Sequence, residues 1–255
     1  MEQETYPAGT LCWAVMATPD ATKTAAFYSG LFGWQVADAS AGFASLQLGG
    51  REVAGLLQLP EAARAAEASS RWLVYLASAD IGLHLAKVEA ADGSILAPAF
   101  DVPGAGRMAV VSDPVGAEFG LWEDWGHPGA GVMGDPGSLT WAELYTRSRA
   151  AAAHFYRAVF DWAVEEVRAE QETFITCSID GKPVAGMMEM TAAWGDTPSH
   201  WMPYFAVTDA DEAATLADGL GGETVAAPHD TSAGRLAVLR DPLGALLMVI
   251  VEQPG

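Results

Sequence analysis

Apolar residues along the chain come in short alternating runs, set apart by glycine and proline, with a few stretches at helical spacing between them. Residues 11–18 alternate like a strand, and Asp20, after Thr18-Pro19, is placed to cap a helix. Ala25, Phe27, Tyr28, Leu31 and Phe32 then carry apolar groups on one helical face. Strands are predicted at 34–36, 43–48 and 53–59, with Gly49-Gly50 as the hairpin turn. A second unit opens with a strand at 72–77 and a helix over 80–91, closed by Asp92-Gly93. Strands at 95–96, 107–111 and 118–122 complete it, and Asp113-Pro114-Val115-Gly116 forms the last turn. Residues 139–251 run through the same order again, so the pattern predicts four βαβββ units in an α+β protein.

The repetition extends to residue identities. Gly9-Thr10-Leu11-Cys12-Trp13 returns 128 residues later as Gly137-Ser138-Leu139-Thr140-Trp141. Phe27-Tyr28-(x3)-Phe32-Gly33-Trp34 returns as Phe155-Tyr156-(x3)-Phe160-Asp161-Trp162, and both Gly-Arg strands and both Asp-Pro-x-Gly turns keep the same offset. Several blocks in one order at one spacing mark a tandem duplication. The boundary falls where glycine and proline dominate and no hydrophobic period survives, giving domains at 1–124 and 138–255 with a linker over 125–137. Which units pair is left open. First with second and third with fourth is the simplest arrangement, but pairing across the halves is also possible.

Composition narrows the partners. The chain has 255 residues, 51% of them hydrophobic and 18% charged, enough for two domains with their own cores. A net charge of −20 repels nucleic acid and anionic membrane, so neither is an expected partner. No secretory signal and no bilayer-spanning window is found, and Cys12 and Cys177 show no metal or disulfide spacing. A cytoplasmic monomer or homodimer binding a small molecule is expected, with no cofactor, since no phosphate loop, dinucleotide fingerprint or nucleophile elbow occurs.

A βαβββ unit with an acidic helix cap, a Phe-Tyr-(x3)-Phe-Gly-Trp helix end and a closing Asp-Pro-x-Gly turn resembles the vicinal oxygen chelate superfamily. That group includes glyoxalase I, bleomycin-resistance proteins and extradiol dioxygenases, and the two-domain actinobacterial glyoxalase-like or hydroxylase-like type is the nearest in pattern. The resemblance covers about residues 9–252. It implies two tandem domains whose curled mixed sheets each enclose a cavity, with a divalent metal in the enzymes. The metal-ligand positions it implies hold Trp13, Leu73 and Gly120 in the first half and Trp141, Met202 and Met248 in the second. None supplies the carboxylate oxygen or imidazole nitrogen such a cation requires, so no metal is expected. A displaced set of Glu143, His200 and either His229 or Asp230 is the remaining way to build one.

Strand alternation puts Trp13, Tyr75 and Trp122, and in the copy Trp141, Tyr145 and Tyr204, on the phase that faces the cavities. Met202 and Met248 share that phase with Glu143, which replaces Val15 of the first copy and is the only acid on the inward phase of an opening strand. The two cavities therefore differ chemically, and the one with Glu143 is the expected functional one. Phe27, Tyr28, Phe32, Trp34 and their copies read as core. Arg107 and Arg235 are expected to pair with carboxylates, Cys12 and Cys177 to be buried and inert, and His84 and His154 to face solvent, with His127 in the linker. The leading reading is a metal-free protein binding a small, partly aromatic metabolite or drug between Trp and Tyr walls. The alternative is a metal-independent hydroxylase, cyclase or isomerase with Glu143 as general base and Tyr145 or His200 as proton donor. A metal-dependent lyase or dioxygenase stands third.

Overall fold

The computed structural model describes residues 5–40, 42–65, 68–169 and 172–252. The first module is β1 (Leu11–Thr18), α1 (Ala21–Phe32), β2 (Gln35–Ser40), β3 (Phe43–Leu48) and β4 (Arg51–Gln58). A short helix α2 (Glu61–Ala65), which the sequence pattern did not announce, leads into the second. That module is β5 (Arg71–Ala77), α3 (Ile81–Ala90), β6 (Ser94–Val102), β7 (Gly106–Ser112) and β8 (Glu118–Asp124). The third is β9 (Leu139–Thr146), α4 (Arg149–Phe160), β10 (Ala163–Ala169), β11 (Glu172–Ile179) and β12 (Lys182–Glu189). The fourth is β13 (His200–Ala206), α5 (Ala210–Gly219), β14 (Glu223–Thr231), β15 (Gly234–Arg240) and β16 (Leu246–Glu252).

Helix starts are set by side-chain caps. Asp20, Asp80, Ser148 and Asp209 each accept a backbone N–H from the first turn that follows. α1 stops at Gly33, whose φ of 74° is the left-handed conformation glycine adopts freely, and Asp161 takes the same role after α4.

Each half forms one open eight-stranded sheet, in the order β2-β3-β4-β1-β5-β8-β7-β6 and, in the copy, β10-β11-β12-β9-β13-β16-β15-β14. The first module thus joins the second and the third joins the fourth. β1 lies parallel to β4 and antiparallel to β5, so the opening strand of each half occupies the middle of its sheet. In that position all eight residues of β1 are buried.

Phe27, Tyr28, Phe32 and Trp34 and their copies are all buried, and they line the interface between the two halves. Phe32, Trp34 and Trp72 meet Phe205 of the other half, and Phe119 of the first half meets Phe155, Tyr156 and Phe160 of the second. Tyr28 Oη donates to Asp241 at 3.5 Å, and Tyr156 Oη donates to Asp113 at 3.4 Å. Each of these aspartates also accepts two backbone N–H groups of its own Asp-Pro-x-Gly turn. The halves therefore exchange a tyrosine across a shared core. His84 is a correction for the same reason. It is buried, with Nδ1 2.7 Å from Ser78 Oγ and its ring against Phe160, because α3 packs on α4 of the other half. His154 is exposed.

Candidate functional site

The register of the first sheet sets Trp13 beside Tyr75, and Tyr75 beside Gly120. Side chains alternate across a strand, so Trp13 and Val15 of β1, Tyr75 of β5, Met108 of β7 and Trp122 of β8 share the concave face. They wall a cavity of about 460 Å³. Tyr75 reaches its place because Gly120 has no side chain: a Cβ there would stand 2.1 Å from the ring. Phe43 and Phe100, both exposed, flank the opening.

Asp38, Ser45, Glu52 and His127 interrupt this apolar wall. Glu52, at the start of β4, accepts a hydrogen bond from Ser45 Oγ at 2.6 Å and another from His127 Nε2. His127 comes from the segment between β8 and β9, which is packed onto the first half over part of its length. Trp122 Nε1 donates to His127 O at 2.7 Å, Ala130 N to Cys12 O at 2.8 Å, and Gly131 N to Glu52 O at 2.8 Å. Tyr6 Oη donates to Ala130 O at 2.5 Å, and Ala130 and Val132 are fully buried. The imidazole stands nearly perpendicular to the rings of Trp13 and Trp122, with centroids 5.2 and 5.8 Å away. The hydrogen bond from His127 holds the Glu52 carboxyl below the usual glutamate range against the opposing effect of burial. Burial alone would lower His127, but the hydrogen bond and charge of Glu52 outweigh it and raise the imidazole. Among the described residues His127 Nδ1 has no hydrogen-bond partner.

Neither Glu52 nor His127 was marked by the sequence. Gly55 and Gly186 occupy matching places beside Val15 and Glu143, yet they lie 131 rather than 128 residues apart. The second copy's hairpin is longer, so a fixed offset compares Glu52 with the wrong residue. Sheet register instead matches it with Pro183, the kind of divergence between copies that singled out Glu143. His127 sits in a stretch without periodicity, where pattern carries no information.

In the second half the structure brings together Glu143, Tyr145 and Tyr204. Tyr204 Oη donates to Glu143 Oε2 at 2.6 Å, and the Tyr145 phenol lies near the same carboxyl. Burial raises the Glu143 carboxyl, and the two phenols offset part of that rise. Tyr145, Met190, Met202, Tyr204, Leu236 and Met248 pack as a buried cluster, with Trp141 partly buried beside it. His200 stacks on Tyr145, its ring 7° from parallel at 5.3 Å, and its Nδ1 lies 2.9 Å from Pro198 O. Burial lowers this imidazole.

The displaced metal set does not assemble. His229 is exposed with Nδ1 on Ala227 O, and Asp230 is engaged by Arg235. No group of three or more His, Cys, Asp or Glu among the described residues is gathered closely enough for a metal ion. Trp, Leu, Gly and Met stand at the six positions that the resemblance gives to ligands, and they offer no hard donor. The residues present do not fit a divalent cation. Arg107 pairs with Asp101, and Arg235 with Asp211 and Asp230. Cys12 and Cys177 are free and buried, with the Cys177 thiol pushed up to about 12 mainly by burial. No described helix is long and apolar enough to cross a membrane.

Residues 10–121 match the family model of the Glyoxalase/Bleomycin resistance protein/Dioxygenase superfamily, and residues 141–250 match that of a Glyoxalase-like domain. A Mycobacterium tuberculosis protein named as a glyoxylase, CFP32, is 36% identical over 98% of this chain and 97% of its own length. The anthracycline biosynthesis protein DnrV of Streptomyces peucetius is 35% identical over 98% of this chain and 96% of its own. Among solved structures, the Mn(II)-bound glyoxalase from Novosphingobium aromaticivorans superposes with a TM-score of 0.68 at 17% identity, covering 97% of this chain and 83% of that one. The 2,2',3-trihydroxybiphenyl 1,2-dioxygenase of Sphingomonas wittichii gives 0.66 at 15% identity, over 96% and 91%. At such identities the structural likeness speaks to the fold alone.

Proposed function

The chain belongs to the glyoxalase/bleomycin resistance protein/dioxygenase superfamily, and within it we propose a protein that binds a small, partly aromatic metabolite or drug without a metal ion. The first cavity, walled by Trp13, Tyr75 and Trp122, is the observation that carries this reading. Its volume of about 460 Å³ lies in the range of small-molecule sites. Aromatic walls favour flat ligands by stacked and edge contacts, each about 0.5–1.5 kcal/mol beyond the area buried. The relatives named for anthracycline biosynthesis support a fused-ring ligand. The hydrophobic side chains at the family's metal positions support metal independence. The cluster of Trp141, Tyr145, Met202, Tyr204 and Met248 around Glu143 is the secondary candidate. A cytoplasmic monomer or homodimer, without nucleic-acid or membrane partners, is in keeping with a charge of −20 and two free thiols.

The test is thermal unfolding against increasing concentrations of an anthracycline aglycone, with and without EDTA. The melting temperature should rise with ligand equally in both series, and Trp13→Ala should abolish the rise. Stabilisation that appears only with an added divalent cation would sink the reading, as would none at all.

One observation favours a second reading, a metal-independent enzyme. The Glu143 carboxyl is raised by burial and held by the Tyr204 phenol, a suitable state for a general base with the nearby Tyr145 as donor. His200 is the other candidate donor. On that reading Glu143→Gln abolishes turnover while leaving ligand affinity nearly intact.

A further inference from the structure

We infer that a second cavity, between α1 and α5, binds a small arylalkylammonium, with its ring against Phe32 and its cationic end towards Glu212. This site is separate from the first cavity and does not depend on what that cavity holds. A comparison of the two halves where they meet carries the inference.

The cavity has a volume of about 230 Å³ and is lined by Leu31 and Phe32 of α1 and by Val207, Glu212, Ala213 and Leu216 on or just before α5. It is smaller than the roughly 300–1,000 Å³ of drug-sized sites, which suits one ring with a short tail. The matching place in the other half lies between α4 and α3, and there the chain fills it with its own side chains. Helices α3 and α5 correspond residue by residue: Asp80 and Asp209 cap them, and Gly93 N and Gly222 N close them on Val88 O and Ala217 O. Just before the caps, Ser78 N and Val207 N reach Trp122 O and Ile250 O. Phe160 is the copy of Phe32. His84 lays its ring against Phe160, with centroids 5.2 Å apart and planes 33° apart, and its Nδ1 lies 2.7 Å from Ser78 Oγ. One turn further along α3, Lys87 Nζ donates to Val159 O at 3.2 Å, near the end of α4, and pairs with Asp161 at 3.4 Å.

Between α1 and α5 each of these groups is missing. Ala213 stands for His84, Val207 for Ser78, Leu216 for Lys87 and Gly33 for Asp161. The space beside Phe32 therefore has the place of a ring and a nearby ammonium, which His84 and Lys87 supply from one face of α3. Two further features set the chemistry of an occupant. Val207 offers no hydroxyl to a ring nitrogen, so a hydrocarbon ring suits the site better than an imidazole. Glu212 replaces Leu83 and adds a carboxylate to the wall, while the described lining residues include no lysine or arginine. Asp209, the other acid there, accepts Asp211 N and Glu212 N. The C-terminal end of α1 contributes partial negative charge of its own. This setting attracts a cation and repels an anion.

The experiment titrates the full chain with phenethylammonium and with 3-phenylpropanoate, which share a shape and differ in the sign of their charge. Binding is read residue by residue from backbone amide chemical shifts, which separates this site from the first cavity. Phenethylammonium should shift the amides of Phe32 and of residues 207–216, and should bind there about tenfold more tightly than the anion. Glu212→Gln, at an exposed position, should bring the two affinities close together. Ala213→His supplies the ring that the other half carries and should abolish the shifts at these amides. Equal affinities of the two probes in the wild type would overturn the inference, as would the absence of shifts at these amides up to the solubility of phenethylammonium. A preference for the cation that is unchanged in Glu212→Gln would refute it as well, whether or not Ala213→His folds.

Discussion

Replacing Gly120 with alanine tests whether Tyr75 is held in the cavity wall by the missing side chain beneath it. The added Cβ would stand 2.1 Å from two carbons of the Tyr75 ring and 2.6 Å from a third. Carbon atoms pack at about 3.5–4.0 Å, so the ring must retreat by roughly 1.4 Å. Tyr75 is only 3% exposed and is packed with Trp13 and Trp122, which leaves it little room. Overpacking of this kind costs about 1–3 kcal/mol. For a chain of this length each kcal/mol lowers the melting temperature by about 2–4 °C, so calorimetry should show a loss of roughly 2–12 °C. Gly120 is not in the left-handed region, so its backbone accepts alanine. In a Tyr75→Ala background the same replacement should therefore cost nothing, and should add about 0.4–1 kcal/mol by restricting the unfolded chain. The double-mutant cycle turns on this change of sign. An equal loss in both backgrounds would refute the idea that Gly120 is there to make room for the ring.

The Glu52–His127 pair makes stability depend on pH in a defined window. The folded Glu52 lies below its ordinary 4.5, so its contribution is present above that value and is lost as pH falls through the folded pKa. His127 lies above its ordinary 6.5, so its contribution is full below that value and is lost as pH rises through the folded pKa. Between about pH 4.5 and 6.5 the pair should add about 1.5–3 kcal/mol relative to His127→Gln, measured by urea unfolding; a pH-independent difference would contradict this. In the other half, Tyr204→Phe removes the 2.6 Å donor to Glu143 and leaves a buried carboxyl short of a partner. The expected loss is about 1–3 kcal/mol, shrinking as pH falls and the carboxyl protonates, and a loss flat with pH would count against an ionised Glu143.

The fold was legible because local signals agreed. The cap at Asp20 was read correctly, and the aromatic helix ends and closing turns recur, so four modules follow from the pattern. Alternation put Trp13, Tyr75 and Trp122 on one phase, the resemblance implied that this phase faces a cavity, and in the structure all three line one. Contacts made between distant segments were not. His84 read as exposed because nothing in α3 reveals that α4 of the other half covers it. Glu52 was hidden by a hairpin that changes length between copies, and His127 by a stretch without period. Gly120 was read only as an absent ligand, whereas the structure gives it a purpose of its own beneath Tyr75.

The exchange of Tyr28 and Tyr156 across the two halves has the form of a symmetric dimer drawn into a single chain. In a dimer of identical subunits, every change to one pocket is forced on the other. Covalent joining lifts that constraint while keeping the association at high effective concentration. Here one half carries Glu143 among tyrosines and methionines, while the other carries Glu52 paired with a histidine from the junction. The shared aromatic core can then keep its symmetry while the two sheets carry different polar groups.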